Sequence, residues 1–111
     1  MTSYVMSQIQ LKYGFANQAR YQAAMFTVQE YFESQNEKLV LSTTTRVGTL
    51  FEVLSIWEVE DQGHHQRVIA NAPLGDPKVQ HALAELAAVV DREEIRFLES
   101  LPFGDASSHP L

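Results

Sequence analysis

Two adjacent histidines, His64 and His65, are the groups in this chain whose type suits proton transfer near neutral pH. Being neighbours, they diverge on a helix and point opposite ways on a strand, so they do not make the i, i+4 pair of a helical metal site. No third ligand stands at a suitable spacing. Arg67 and Arg46 each carry a guanidinium able to hold a carboxylate in a two-point fork. Trp57 offers a flat face to an aromatic ligand, Ser55 a hydroxyl, and Gln8 and Gln10 neutral amides that orient a carbonyl or hydroxyl. Each has a plainer reading: an interface or core tryptophan, glutamines bonding along a sheet, charged side chains in water. His81, four residues before Glu85, reads as half of a solvated pair. Tyr4, Tyr13, Tyr21 and Tyr31 read as strand-end and helix-stripe aromatics, Tyr21 most plainly as core.

What is missing narrows the chemistry. The chain has no cysteine, so disulfides, thiolate metal sites and a thiol nucleophile are out. It has no Gly-rich phosphate loop, no Gly-x-Ser-x-Gly elbow and no His-Glu-x-x-His, which argues against nucleotide chemistry and against serine or zinc hydrolysis. No cofactor and no metal are expected. Eight basic residues stand against 14 acidic ones, a formal charge of −6 that opposes nucleic acids and anionic membranes as partners. No apolar run approaches the ~18 residues of a membrane span, and Met1-Thr2-Ser3-Tyr4-Val5 is no basic leader, so a cytoplasmic location is expected.

The elements that must position these residues follow from periodicity. At 111 residues, 45% of them hydrophobic, the chain suits one domain with one modest core, here residues 1–103. The small, polar segment 104–111 reads as a flexible C-terminal tail. Tyr4–Tyr13 alternates, with Val5, Ser7, Ile9 and Leu11 on one face and Met6, Gln8, Gln10 and Lys12 on the other. From Phe15 to about Asn36 the period is helical, with Tyr21, Met25, Val28 and Phe32 in one stripe. Leu39–Val47 returns to period two, with Leu39, Leu41, Thr43, Thr45 and Val47 together, and pairs through Gly48-Thr49 with Leu50–Val59. A short helix, His64–Asn71, stops at Pro73. Asp76-Pro77 starts another, whose stripe is Val79, Leu83, Leu86 and Val90. Glu94–Leu101 is the last strand.

The order β-α-β-β-α-α-β is that of an α+β, ferredoxin-like domain: a four-stranded antiparallel sheet with helices on one face. The other face is expected to carry Gln8, Gln10, Ser55 and Trp57. Two such faces packed in a homodimer would enclose a barrel lined by both subunits.

Four segments resemble the NIPSNAP-like branch of the dimeric α/β-barrel superfamily: Ser55-Ile56-Trp57-Glu58-Val59, the helix His64–Asn71, Asp76-Pro77, and Ile95–Phe103. That branch typically shows a tryptophan on the third strand, a basic short helix, an Asp-Pro helix start and a final strand ending in Pro-Phe. The chain departs from it in places. Where the branch often has Glu-x-Arg-x-Tyr on its first strand, this chain has Gln8, Gln10 and Lys12; the arginine pair of the short helix is reduced to His65 and Arg67; Val59 replaces a tyrosine. Related dimeric barrels include haem-degrading enzymes, cofactor-independent monooxygenases, cyclases and isomerases.

The resemblance implies a homodimer or higher homo-oligomer that binds a small, apolar or polyketide-like metabolite. On it, His65 is the expected acid or base, Trp57 the stacking surface, Gln8 and Gln10 the orienting groups, Ser55 a further substrate-binding residue, and Arg67 the grip on an acidic group. The alternatives are a non-catalytic interaction module and, more weakly, a haem protein.

Overall fold

A computed structural model describes residues 2–103; the expected tail, 104–111, lies outside the described residues. The elements run β1 (Ser3–Leu11), α1 (Phe15–Ser34), β2 (Lys38–Thr44), β3 (Glu52–Val59), α2 (Gln62–Asn71), a 3₁₀ turn (Ala72–Leu74), α3 (Pro77–Val89) and β4 (Val90–Glu99). The four strands form one antiparallel sheet in the order β2-β3-β1-β4. The fold is therefore the expected α+β, ferredoxin-like one, with its elements in the expected order. Among the described residues no helix is long and apolar enough to cross a membrane.

The helices cover one sheet face because four stripes converge there. Helix α1 buries Tyr21, Ala24, Val28 and Phe32, and α3 buries Val79, Ala82 and Val89. Strand β1 contributes Val5, Ile9 and Leu11, and β3 contributes Val53, Trp57 and Val59. Met25 and Leu86 pack against both halves of this core and make it continuous. Gly14 enters α1 at φ +127°, a backbone conformation that side-chain-bearing residues rarely adopt.

Three expectations need correction. Ser55 and Trp57 do not share a face with Gln8 and Gln10. Ser55 pairs with Ser7 and Trp57 with Val5, on the helix side, whereas Gln8 pairs with Leu54 and Gln10 with Glu52, on the open side. Strand β3 is apolar at both parities, so only its pairing with β1 decides which set goes inward. Strand β2 does not keep a single alternation either. A bulge between Leu39 and Leu41 leaves Leu39 opposite Trp57 but Leu41 opposite Ile56, which turns Ser42 and Thr44 to the helix side. Val90 is not in the α3 stripe; the helix ends at Val89 and Val90 opens β4 with an extended backbone.

Candidate functional site

The C-terminus of α1 sets the geometry of the site. Asn36 takes φ 64°, Asn36 N–H donates to the Glu33 carbonyl at 3.1 Å, and Glu37 N–H donates to the Phe32 carbonyl at 2.9 Å. This is a Schellman closure with asparagine in the left-handed position. It reverses the chain so that the Glu37 side chain enters the protein, where the residue is 1% exposed.

Helix α2 supplies the partner. Its N-cap is Asp61, whose carboxylate accepts from His64 N–H at 2.7 Å. His64 faces outward and its Nε2 lies 2.7 Å from the Gln35 carbonyl, tying α2 to the end of α1. The next residue, His65, therefore turns inward and is 5% exposed. Its Nδ1 lies 2.9 and 3.1 Å from the two Glu37 oxygens. A carboxylate on Nδ1 makes that nitrogen the N–H donor, so that in the neutral ring Nε2 is the basic atom. Among the described residues, Nε2 makes no hydrogen bond. The edges of Phe32 and Phe97 hold the ring in place.

His65 forms part of the wall of a cavity of about 170 Å³ between sheet and helices. Most of that wall is apolar, with Trp57, Phe32, Val28, Ile9 and Leu86 among its side chains. Ser7, Ser55, Tyr21 and Glu93 are its other polar groups, and among the described residues no lysine or arginine lines it. Burial pushes the Tyr21 phenol up to about 12; the charge of Glu93 adds to this and the Ser55 hydroxyl opposes it. Tyr21 is thus a neutral hydroxyl at any working pH. Glu93 is exposed by surface area, yet its carboxyl borders the cavity, and the loss of water there holds its pKa above the ordinary carboxylate value.

The structure brings His65, Trp57 and Ser55 to one cavity and leaves Gln8, Gln10, Arg67 and Arg46 elsewhere. The amide of Gln8 donates to Glu52 at 3.1 Å, and that of Gln10 to the Leu50 and Leu11 carbonyls at 3.0 and 3.2 Å, all on the side of the sheet away from the cavity. They brace the β2–β3 turn against β1. Arg67 is exposed on α2, with its guanidinium near Gly63. Among the described residues no Lys or Arg therefore stands in the cavity to hold an acidic group. Glu37 and Glu93 were not legible as site residues. A lone glutamate at the start of a strand carries no periodic signal, and its partner is 28 residues away. Among the described residues no group of three metal-ligating side chains comes together.

No protein-family model matches the chain, and no curated protein matches it. Solved structures do. A NIPSNAP family protein of Agrobacterium tumefaciens superposes with TM-score 0.78 at 14% identity, over 96% of this chain and 99% of that one. An uncharacterised NIPSNAP domain protein of Burkholderia xenovorans gives 0.71 at 20% identity, over 91% and 96%. SnoaB, a cofactor-independent oxygenase of Streptomyces nogalater, gives 0.63 at 14% identity, over 90% and 92%. The chain has the fold these proteins share.

Proposed function

We propose that this NIPSNAP-fold protein is a cytoplasmic homodimer that binds a neutral, largely apolar metabolite and moves a proton on it without a cofactor. One observation carries the reading: a histidine that lines an apolar cavity is anchored through Nδ1 by a buried glutamate, with Nε2 unbonded among the described residues. That is how a general base is oriented before substrate arrives. Among the described residues no Lys or Arg lines the cavity, which suits an uncharged carbon acid better than a carboxylate. Proton removal beside a carbonyl gives an enolate, and the Tyr21 and Ser55 hydroxyls are the donors available to it. Cyclisation, isomerisation and oxygenation all begin with this step. The fold shared with a cofactor-independent oxygenase supports the reading.

The test uses 2-tetralone, a neutral bicyclic ketone with an acidic C–H, in deuterium oxide. The protein is expected to accelerate deuterium uptake at the carbon between ring and carbonyl, read by NMR. His65→Gln should cost roughly 10²–10⁴-fold, the usual range for a positioned base. Exchange at the buffer rate with the wild-type protein, or unchanged exchange in the variant, would count against a proton-transfer role.

A further inference from the structure

A second groove, of about 280 Å³, lies between α1 and the strands β2 and β3 and meets the cavity at Tyr21, Met25, Ser55 and Trp57, which line both. Its outer part is built differently from the cavity. Gln18, Gln22, Phe26 and Gln29 fall at i, i+4, i+8 and i+11 on one face of α1, and the β2 bulge brings Ser42 and Thr44 opposite them. Among the described residues no charged side chain lines this groove. Among the described residues Gln18 and Gln22 find no side-chain hydrogen bond, while Gln29 uses its N–H on Glu33 at 3.1 Å and Ser42 shares a bond with Ser55 at 2.9 Å. Beside these amides Phe26 is 65% exposed, an aromatic face left in water.

We infer that this groove is a subsite for an uncharged, polyhydroxylated group, sugar-like in chemistry, attached to the apolar portion of the ligand in the cavity. An amide both donates and accepts, as a hydroxyl does, so a row of glutamines matches a row of hydroxyls without fixing a charge. An exposed ring beside them packs against the C–H face of such a group while its hydroxyls turn to the amides and to Ser42 and Thr44. A carboxylate or phosphate finds no cation here, and a purely apolar tail leaves the amides unanswered. The wall shared at Trp57 and Ser55 makes one ligand spanning both compartments the natural occupant, and in that respect the inference rests on the cavity reading above.

Isothermal titration calorimetry with three probes on the full chain separates the two readings: 2-naphthol, 2-naphthyl β-glucoside and the anionic 2-naphthyl β-glucuronide. The glucoside is expected to bind about tenfold more tightly than 2-naphthol, the yield of one or two added hydrogen bonds plus ring packing. Phe26→Ala and Gln22→Ala, both at exposed positions, should erase that gain and leave the 2-naphthol Kd within about twofold. The glucuronide should show no gain. Glucoside binding without 2-naphthol binding would support the subsite while sinking the cavity as a separate site. Binding of 2-naphthol with no advantage for the glucoside, or with an advantage that survives both variants, overturns the subsite and leaves the cavity reading standing. A glucuronide that binds as tightly as the glucoside overturns it too, and binding of neither neutral probe overturns both readings.

Discussion

At the scale of single residues, the site depends on one carboxylate whose neighbours are almost wholly protein. Glu37 satisfies Nδ1 of His65, and among the described residues His65 in turn is the one side chain bonded to that carboxylate. Removing either leaves a buried polar group unanswered, which costs more than the bond itself contributes. Glu37→Ala is therefore expected to lower stability by about 2–4 kcal/mol, read as the midpoint shift in urea at unchanged slope. A shift below about 0.5 kcal/mol would mean that water reaches the pair. Glu93 gives a prediction of the opposite sense. Its pKa is raised from the ordinary 4.5 by burial, so folding favours the neutral acid. That contribution is full below the unfolded value and is lost as pH rises through the folded value. Above it, the charged form opposes folding. Glu93→Gln should thus raise the melting temperature at pH 7 by about 1–3 °C and do little at pH 4, because the partly exposed group keeps some of its water. Equal effects at the two pH values would show that the carboxyl is not desolvated.

At the scale of elements, helix α2 carries His65 inward because its first turn is closed by Asp61. Asp61→Ala removes that cap, at about 1 kcal/mol, or roughly 4–8 °C in a domain of this size. Because the frayed turn is the one holding the base, proton transfer should fall by a larger factor than stability alone explains. Loss of stability with the exchange rate unchanged would place the rigidity of His65 in Glu37 and the aromatic edges instead. How far the elements could be read from the sequence follows from how each is specified. Helix α1 declared itself through the spacing of Tyr21, Val28 and Phe32, and α3 through Asp76-Pro77, because a stripe and a cap are local signals. The inward face of β3 was not legible. Leu54 and Ile56 are as apolar as Val53 and Trp57, and only long-range pairing with Val5 and Ile9 sends the tryptophan under the helices. The bulge at Val40 was hidden for the same reason, since Leu39, Leu41 and Thr43 alternate without a break in the sequence. His65 could be singled out by type and resemblance, but its carboxylate partner depends on Asn36 taking a left-handed conformation, which no periodicity announces.

At the scale of the whole molecule, the sheet has one face under helices and one without. The uncovered face carries Met6, Leu41, Leu54 and Ile56 as neighbours, with Lys38 opposite Glu58 at one end and the Arg96–Glu94 pair on the edge strand β4. An apolar centre inside a rim of both charges is suited to meeting a second copy of itself about a two-fold axis. Ile56→Glu places a charge at that centre and should convert a dimer to a monomer in light scattering at micromolar concentration, with the circular dichroism of the fold retained. A wild-type protein that is already monomeric at tens of micromolar would remove the dimer from the proposal. The same variant also decides where the ligand sits. Since Ser55 and Trp57 lie on the helix side of the sheet and His65 lines the same cavity, that cavity is walled from within one chain. Monomeric Ile56→Glu is accordingly expected to bind 2-naphthol within about threefold of wild type, because no wall of the cavity leaves with the partner. If binding disappeared together with the dimer while the fold persisted, the second subunit would have to complete the site. The inward orientation of Trp57 would then describe the core and not the ligand.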